Sequence, residues 1–99
     1  MFTISKKKEG TNLRVTVAGR LDSTTAPDLE KAIRDDIEGV TDLTIDIEQL
    51  EYISSAGLRV LLASQKIMNT QGKMTVTHPA DVIAEIFEVT GFSDILTIE

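Results

Sequence analysis

Apolar and polar residues alternate along several short segments of the chain, a pattern typical of strands with one buried face. The alternation is clearest over 13–18 and recurs over 43–47 and 73–77. A weaker alternation over 2–8 is separated from the first of these strands by turn-forming residues at 9–12. We therefore expect an antiparallel hairpin followed by single strands.

Apolar residues at helical spacing occupy the segments between and after these strands. Pro27 suits the first turn of one helix, because its missing N–H would have no partner there. A second helix follows strand 43–47 and ends within 69–72, and a third is predicted from Pro79 to Gly91. The predicted buried stripe of the third helix consists of Val82, Ile83, Ile86 and Phe87.

Two strands followed by alternating helices and strands predict a largely parallel sheet with right-handed crossovers. Because the strands alternate and do not read as continuous apolar runs, we expect one face of the sheet to be partly exposed to solvent. The predicted fold is a single small α/β domain over residues 1–99. Its sheet is mixed and mostly parallel, with four to five strands, a possible last strand at 96–98, and helices mainly on one face. This arrangement argues against a doubly wound nucleotide-binding fold.

Composition and charge argue against several classes of function. The net charge of −6 is unsuited to nucleic acid and to an anionic membrane, and it permits a basic protein partner. The one charge run, Lys6–Lys8, is interpreted as a solvated part of the hairpin. There is no cysteine, and no apolar run approaches the roughly 20 residues of a membrane span. We therefore expect a cytoplasmic location.

The groups that carry most enzyme chemistry are missing from the pattern. His78 is the single histidine, without a visible catalytic or metal partner, and is interpreted as a loop residue. Gly57 belongs to no phosphate-binding loop, and Ile53 stands where a hydrolase elbow around Ser55 would need glycine. No pair of carboxylates can be placed as an acid and a base. We predict no enzymatic activity, no cofactor and no metal.

Ser54 and Ser55 stand at a strand-to-helix junction, at the start of the second helix. The first N–H groups of a helix have no helical partners, and the macrodipole favours negative charge there. Such a junction can bind an anion or carry a phosphate covalently. One serine can instead be a helix cap, worth about 1 kcal/mol over alanine. Gly57, in the first helical turn, suggests that something approaches the backbone closely.

Leu58 and Leu62 lie away from the main apolar face of the second helix, at roughly 100° per residue. Two interpretations of this pair are open. The leucines pack on a neighbouring helix, or they form an exposed apolar pair rimmed by Arg59 and Lys66, as expected of a protein-binding surface.

Three segments of the chain resemble one known family. Residues 50–58, Leu-Glu-Tyr-Ile-Ser-Ser-Ala-Gly-Leu, resemble the signature of the STAS domain in its bacterial anti-sigma factor antagonist (anti-anti-sigma factor) branch. Residues 17–22 and 88–92 are supporting matches. The resemblance covers nearly all 99 residues in the same order of elements.

This resemblance implies partner switching in the regulation of sigma-dependent transcription. In the family, the unphosphorylated antagonist binds an anti-sigma factor, often a serine kinase with a GHKL-type ATPase fold, and the sigma factor is freed. The kinase phosphorylates a serine at this helix start, and the complex dissociates. A PP2C-type phosphatase reverses the modification.

Counting back from Gly57, the family's acceptor serine corresponds to Ser55, and Ser54 stands where the family usually has aspartate. Asp22 matches a family aspartate near the acceptor, where it would orient the hydroxyl or contact the partner. The implied partner-binding surface consists of Asp22, Ser54, Ser55, Ala56, Gly57, Leu58, Arg59 and Leu62.

Two other functions remain open at this point. One is a STAS-like module that works without phosphorylation, as a subunit of a lipid-transport or signalling assembly. The other is a domain that binds a nucleotide or small anion at the helix start 54–57, although no phosphate loop accompanies it.

Overall fold

The computed structural model describes residues 2–99 of the chain. They form a four-stranded sheet and three α-helices in the order that the sequence predicts. The strands are β1 (Thr3–Glu9), β2 (Asn12–Leu21), β3 (Asp42–Ile53) and β4 (Lys73–Thr77). The helices are α1 (Ala26–Asp36), α2 (Ser55–Gln71) and α3 (Asp81–Val89), followed by a 3-10 helix at Phe92–Asp94.

The sheet has the strand order β1-β2-β3-β4. β1 and β2 form the predicted antiparallel hairpin, and the β2–β3 and β3–β4 pairs are parallel. The possible last strand at 96–98 is reduced to a single parallel bridge between Val76 and Ile98. The mixed, mostly parallel α/β architecture is therefore confirmed, with four strands.

One face of the sheet is buried and the other is partly open, as the alternating pattern predicts. Along β2, Leu13, Val15 and Val17 are buried, whereas Arg14 is exposed and Thr16 is half-buried. β3 and β4 repeat this alternation. The apolar face packs against the helices and forms one continuous hydrophobic core.

β2 and β3 are longer than the alternation of the sequence predicts, and the register between them shifts twice. The pairing of β2 with β3 is irregular between Thr16 and Ala18 and again between Gly19 and Arg20. Gly19 has a φ of 95°, which glycine adopts without strain. The extra residue at each irregularity lies in β3, so the strict alternation of β3 ends after Ile47 although the strand continues, whereas β2 alternates through Leu21.

Two lysines of β1 contact the C-terminal end of α1. Lys6 Nζ lies 2.8 Å from Asp36 Oδ2 and 3.1 Å from the Ala32 carbonyl oxygen, and Lys8 Nζ lies 3.3 Å from the Asp36 carbonyl oxygen. The two ammonium groups thus neutralise the negative C-terminal end of α1. All three lysines are exposed, as the interpretation of a solvated hairpin requires, and strand alternation turns Lys6 and Lys8 toward the helix layer.

The buried stripe of α3 is narrower than predicted. Ile83 and Phe87 are fully buried and Ile86 is half-buried, but Val82 is 55% exposed. The helix begins at Asp81, after Ala80 as N-cap, and not directly at Pro79. Val82 was placed in the core on spacing alone, which does not show how much of a short helix the sheet covers.

Candidate functional site

The ends of β2 and β3 bring the predicted site residues to one edge of the sheet. Leu21 and Ile53 are register partners, and the Ser54 N–H donates a hydrogen bond of 2.9 Å to the Leu21 carbonyl oxygen. Asp22 follows directly after Leu21, and α2 begins directly after Ser54. The start of α2 and the β2–α1 connection are therefore neighbours.

The two serines of the junction have different environments. Ser54 is the N-cap residue of α2, but its side chain makes no capping hydrogen bond, and its hydroxyl oxygen is buried without a partner. Ser55 is the first residue of the helix and is exposed. Ser54 thus takes the N-cap position open to one of the serines, but its hydroxyl supplies no capping hydrogen bond. The N–H groups of the first turn are thus left without a side-chain acceptor at the N-cap.

Gly57 is buried, and its close neighbours belong to the protein's own core. A Cβ atom at this position would lie 2.8 Å from Leu21 Cγ and 2.8 Å from Ile53 Cγ1. The glycine therefore lets α2 approach the ends of β2 and β3. The close approach that this glycine suggests is thus made by these two side chains, and a partner-binding role for Gly57 stays a prediction.

Leu58 lies in the hydrophobic core and is 7% exposed. Leu62 is half-buried, while Arg59 and Lys66 are exposed. The interpretation of an exposed leucine pair is therefore wrong, while a partner-binding role for Leu58 stays a prediction. Position on the helical wheel did not show that the core extends to this side of α2, which packs on β3 and β4 as well as on α1.

Asp22 forms a capping arrangement at the entrance to α1. Its Oδ1 accepts hydrogen bonds from the Thr24 hydroxyl at 2.6 Å and from the Thr24 N–H at 3.0 Å. In return, the Asp22 N–H donates to Thr25 Oγ1 at 2.9 Å, the reciprocal pattern of a capping box. The Thr24 hydroxyl, aided by the backbone N–H groups, lowers the pKa of the Asp22 carboxyl.

This arrangement keeps the Asp22 carboxylate charged beside the start of α2, with Thr24 and Thr25 as its partners. Within residues 2–99 it makes no hydrogen bond to either serine. The two threonines were not predicted as site residues. The spacing Asp-x-x-Thr just before a helix is a local signal that could have identified them.

A cleft of about 330 Å³ opens between the N-terminal halves of α1 and α2. Its lining is mostly small and apolar, with one acidic and one basic side chain. The lining residues are Ser23, Ala26, Pro27, Glu30, Ala56, Arg59, Val60 and Ala63. Arg59 lies one helical turn after Ser55, and within residues 2–99 it takes part in no ion pair. Its guanidinium is thus available to an anion at the helix start.

Elsewhere, the part of the chain from 2 to 99 contains no cluster of three side chains suited to a metal ion. His78, interpreted as a loop residue, follows directly after β4 and has its Nδ1 3.7 Å from Asp46 Oδ1. The same carboxylate accepts a hydrogen bond of 2.7 Å from Arg14. Over these residues, no helix is long and apolar enough to span a membrane.

A four-stranded mixed sheet, helices on its apolar face, and a serine pair at the start of α2 define a STAS-like domain. The family model described as "Mlab, STAS domain" matches residues 4–97. The chain belongs to the STAS domain family.

Two named relatives indicate the branch of this family that the chain resembles. The chain is 31% identical over 97 residues to the anti-sigma-B factor antagonist of Listeria monocytogenes, covering 95% of this chain and 84% of that one. It is 32% identical over 88 residues to the anti-sigma-B factor antagonist of Staphylococcus aureus, covering 85% and 80%.

Solved structures share the fold. An anti-sigma factor antagonist from Mycobacterium paratuberculosis superposes with a TM-score of 0.89 at 24% identity, covering 99% of this chain and 85% of that one. Unphosphorylated SpoIIAA, also an anti-sigma factor antagonist, superposes with a TM-score of 0.75 at 16% identity, covering 100% and 87%.

Proposed function

We propose that this protein is an anti-sigma factor antagonist that works by partner switching at Ser55. In its unphosphorylated form it binds an anti-sigma factor in the cytoplasm and so frees a sigma factor. Phosphorylation of Ser55 by that partner, a GHKL-type serine kinase, releases the complex, and a PP2C-type phosphatase restores it. The domain acts as a docking module and not as an enzyme. Relatives at 31% and 32% identity are named anti-sigma-B factor antagonists, which supports this class of function.

The main support for this proposal is the difference in exposure between Ser54 and Ser55. Ser55 is exposed at the first position of α2, whereas the Ser54 hydroxyl oxygen is buried. A kinase must reach the hydroxyl that it modifies, so the geometry favours Ser55 as the acceptor. A protein of the same fold, SpoIIAA, is known in an unphosphorylated and a phosphorylated form.

The surroundings of Ser55 suit a phosphate that leaves the fold intact. The modification would add a charge of about −1.5 to −2. That charge would lie at the positive end of α2, and Arg59 lies one turn away without another ion-pair partner within residues 2–99. The domain therefore tolerates the phosphate, and the cost falls on the complex.

The partner would contact the rim of the cleft between α1 and α2. Two residues of the predicted surface, Ala56 and Arg59, line this cleft. Six of its eight residues are at least partly exposed, although the Ser54 hydroxyl itself is buried: Asp22, Ser54, Ser55, Ala56, Arg59 and Leu62. A phosphate on Ser55 would add negative charge near a cleft that Glu30 already lines, with Asp22 at the entrance to α1. A partner surface that complements these acids would have to desolvate the added phosphate on docking.

The first test compares phosphorylation of the parent, Ser55→Ala and Ser54→Ala. Each protein is incubated with ATP and the purified anti-sigma factor kinase of the same host, and its intact mass is measured. We expect one phosphate on the parent and on Ser54→Ala, and none on Ser55→Ala. A phosphate that persists in Ser55→Ala would refute the assignment. An unmodified parent that still binds the anti-sigma factor would instead support the alternative, a module that works without phosphorylation.

The second test measures binding and folding together. Ser55→Asp is expected to bind the anti-sigma factor about 30-fold or more weakly than the parent, equivalent to roughly 2 kcal/mol. Its melting temperature should stay close to that of Ser55→Ala, because the charge lies at a helix N-terminus. Undiminished binding, or loss of the fold, would refute the proposed switch.

A further inference from the structure

The outward face of α3 carries exposed apolar side chains that no other element of the described chain covers. Val82 is 55% exposed and Val89 is 77% exposed, and seven residues of helix place them on the same side. Ile86, between them, is half-buried. We name Val82, Ile86 and Val89 the α3 stripe. Ile95, 47% exposed, follows the 3-10 helix that packs against α3.

This exposure is concentrated in one part of the molecule. Four large hydrophobic side chains in residues 2–99 are exposed, and three of them lie between 82 and 95. Single exposed apolar side chains are common on protein surfaces and need no explanation. A stripe at helical spacing along a whole helix is what a helix-packing surface presents.

The α3 stripe lies in a strongly acidic segment of the chain, whose acidic side chains are unpaired within residues 2–99. Residues 74–99 contain five of the 16 acidic residues and none of the 10 lysines and arginines. This segment therefore carries −5 of the net charge of −6. The five acids are Asp81, Glu85, Glu88, Asp94 and Glu99, all exposed. Within residues 2–99 none of them takes part in an ion pair.

We propose that α3 docks a basic amphipathic helix of a partner protein. The apolar side of that helix would pack along the α3 stripe, and its lysines and arginines would face the surrounding acids. The negative charge of residues 74–99 favours a basic helix over the other possible occupants of this surface. A second copy of this chain would bring two strongly acidic segments together, and an anionic lipid surface would be repelled.

The far end of the α3 stripe is separate from the switch at Ser55. α2 and α3 both begin at the edge of the sheet where the parallel strands β3 and β4 end. Residues 96–98 then lie parallel to β4, so α3 and the turn after it carry the chain back to the opposite edge. Val89 thus lies at the far end of α3, roughly 13 Å along the helix from its start. The docking proposal therefore does not depend on phosphorylation of Ser55.

A peptide titration tests the chemistry of this surface. The ¹⁵N-labelled protein is titrated with an 18-residue peptide of leucine and lysine arranged as an amphipathic helix, and with a scrambled peptide of the same composition. Shift changes from the ordered peptide are expected to cluster in 81–95. Its affinity should fall about tenfold in Val82→Ser/Val89→Ser and in Glu85→Lys/Glu88→Lys. The exposed residues of both variants make the fold insensitive to these changes.

Matched controls separate docking from general attraction of charge. Glu38→Lys/Glu51→Lys changes the net charge equally at exposed positions outside the segment, and should weaken binding less than about threefold. Ser55→Asp should leave the affinity within about twofold. Equal binding of the scrambled peptide, or an equal effect of the control charges, would overturn the proposal. So would a dimer in analytical ultracentrifugation that Val89→Ser dissociates.

A photo-crosslinking amino acid at Val89, introduced in the native host, tests the occupant. The crosslinked segment, mapped by mass spectrometry, is expected to be a basic amphipathic helix. Crosslinking to an acidic segment or to the same chain would overturn the proposal, as would the absence of any product at Val89.

Discussion

Replacing Gly57 with alanine gives opposite results under two explanations of this glycine. If Gly57 exists to let a partner approach, alanine leaves the fold intact and improves helix propensity by up to about 1 kcal/mol. If it exists to let α2 approach the sheet, alanine introduces a clash. The structure favours the second explanation, because the new Cβ would lie 2.8 Å from Leu21 Cγ and from Ile53 Cγ1.

The size of the effect follows from where those atoms are. Leu21 and Ile53 are almost fully buried, and the two contacted atoms lie near the backbone and not at the ends of flexible side chains. Overpacking of this kind costs about 1–3 kcal/mol. After the gain in helix propensity, we expect a net loss of about 1–2 kcal/mol. For a domain of this size each kcal/mol lowers the melting temperature by about 4–8 °C.

Thermal and urea unfolding of four proteins measures the effect: the parent, Gly57→Ala, Leu21→Ala and the double variant. Leu21→Ala removes one of the two clashing side chains, so alanine at 57 should cost less in that background. We expect a coupling free energy of about 1 kcal/mol between the two positions. Gly57→Ala that is as stable as the parent, or strictly additive costs, would refute the packing explanation.

Three further predictions concern the same framework. Gly72→Ala should destabilise the domain more than Gly57→Ala, because the new Cβ would clash with the Thr41 carbonyl oxygen. Urea unfolding checks this, and a decrease of less than about 1 kcal/mol in the free energy of unfolding would contradict it. Stability should fall as the pH drops below 3.8, because two carboxyl groups have a lowered pKa in the folded state. A hydrogen bond from the Thr24 hydroxyl lowers the pKa of Asp22, and one from Lys6 lowers that of Asp36. Their contribution is complete above the unfolded pKa and is lost as the pH falls through the folded one, so Asp22→Asn/Asp36→Asn should flatten the dependence between about pH 2 and pH 4. Lys6→Met should lower stability at pH 7 and leave partner binding unchanged, as urea unfolding and a binding titration would show; weakened binding would place β1 in the interface.

The features that the sequence predicts well are those carried by local periodicity. Alternation marks Leu13, Val15 and Val17 as one face of a strand, and a one-residue shift would expose all three, so the pattern leaves little freedom. The serine junction is equally local, since a strand pattern ends and a helix pattern begins within a few residues.

Features that depend on distant neighbours could not be predicted in this way. The role of Gly57 depends on Leu21, which is 36 positions earlier in the chain and reaches it only through the β2–β3 pairing. The burial of Leu58 depends on the elements that pack against α2, which include β4 from later in the chain. Helical spacing identifies an apolar side chain, and it does not show whether another element covers it, as Val82 demonstrates.

Each strand of this sheet lies beside the strand that precedes it in the chain. No strand has to be inserted between two others, so the sheet can grow at a single edge as the polypeptide leaves the ribosome. The β1–β2 hairpin needs only a short turn, and each later parallel pairing closes a segment of about 30 residues. Doubling a loop costs only about 0.6 kcal/mol, so the successive additions have similar entropic barriers. Residues 96–99, which pair with β4, are the last to join, and the β4 edge stays open until they are synthesised.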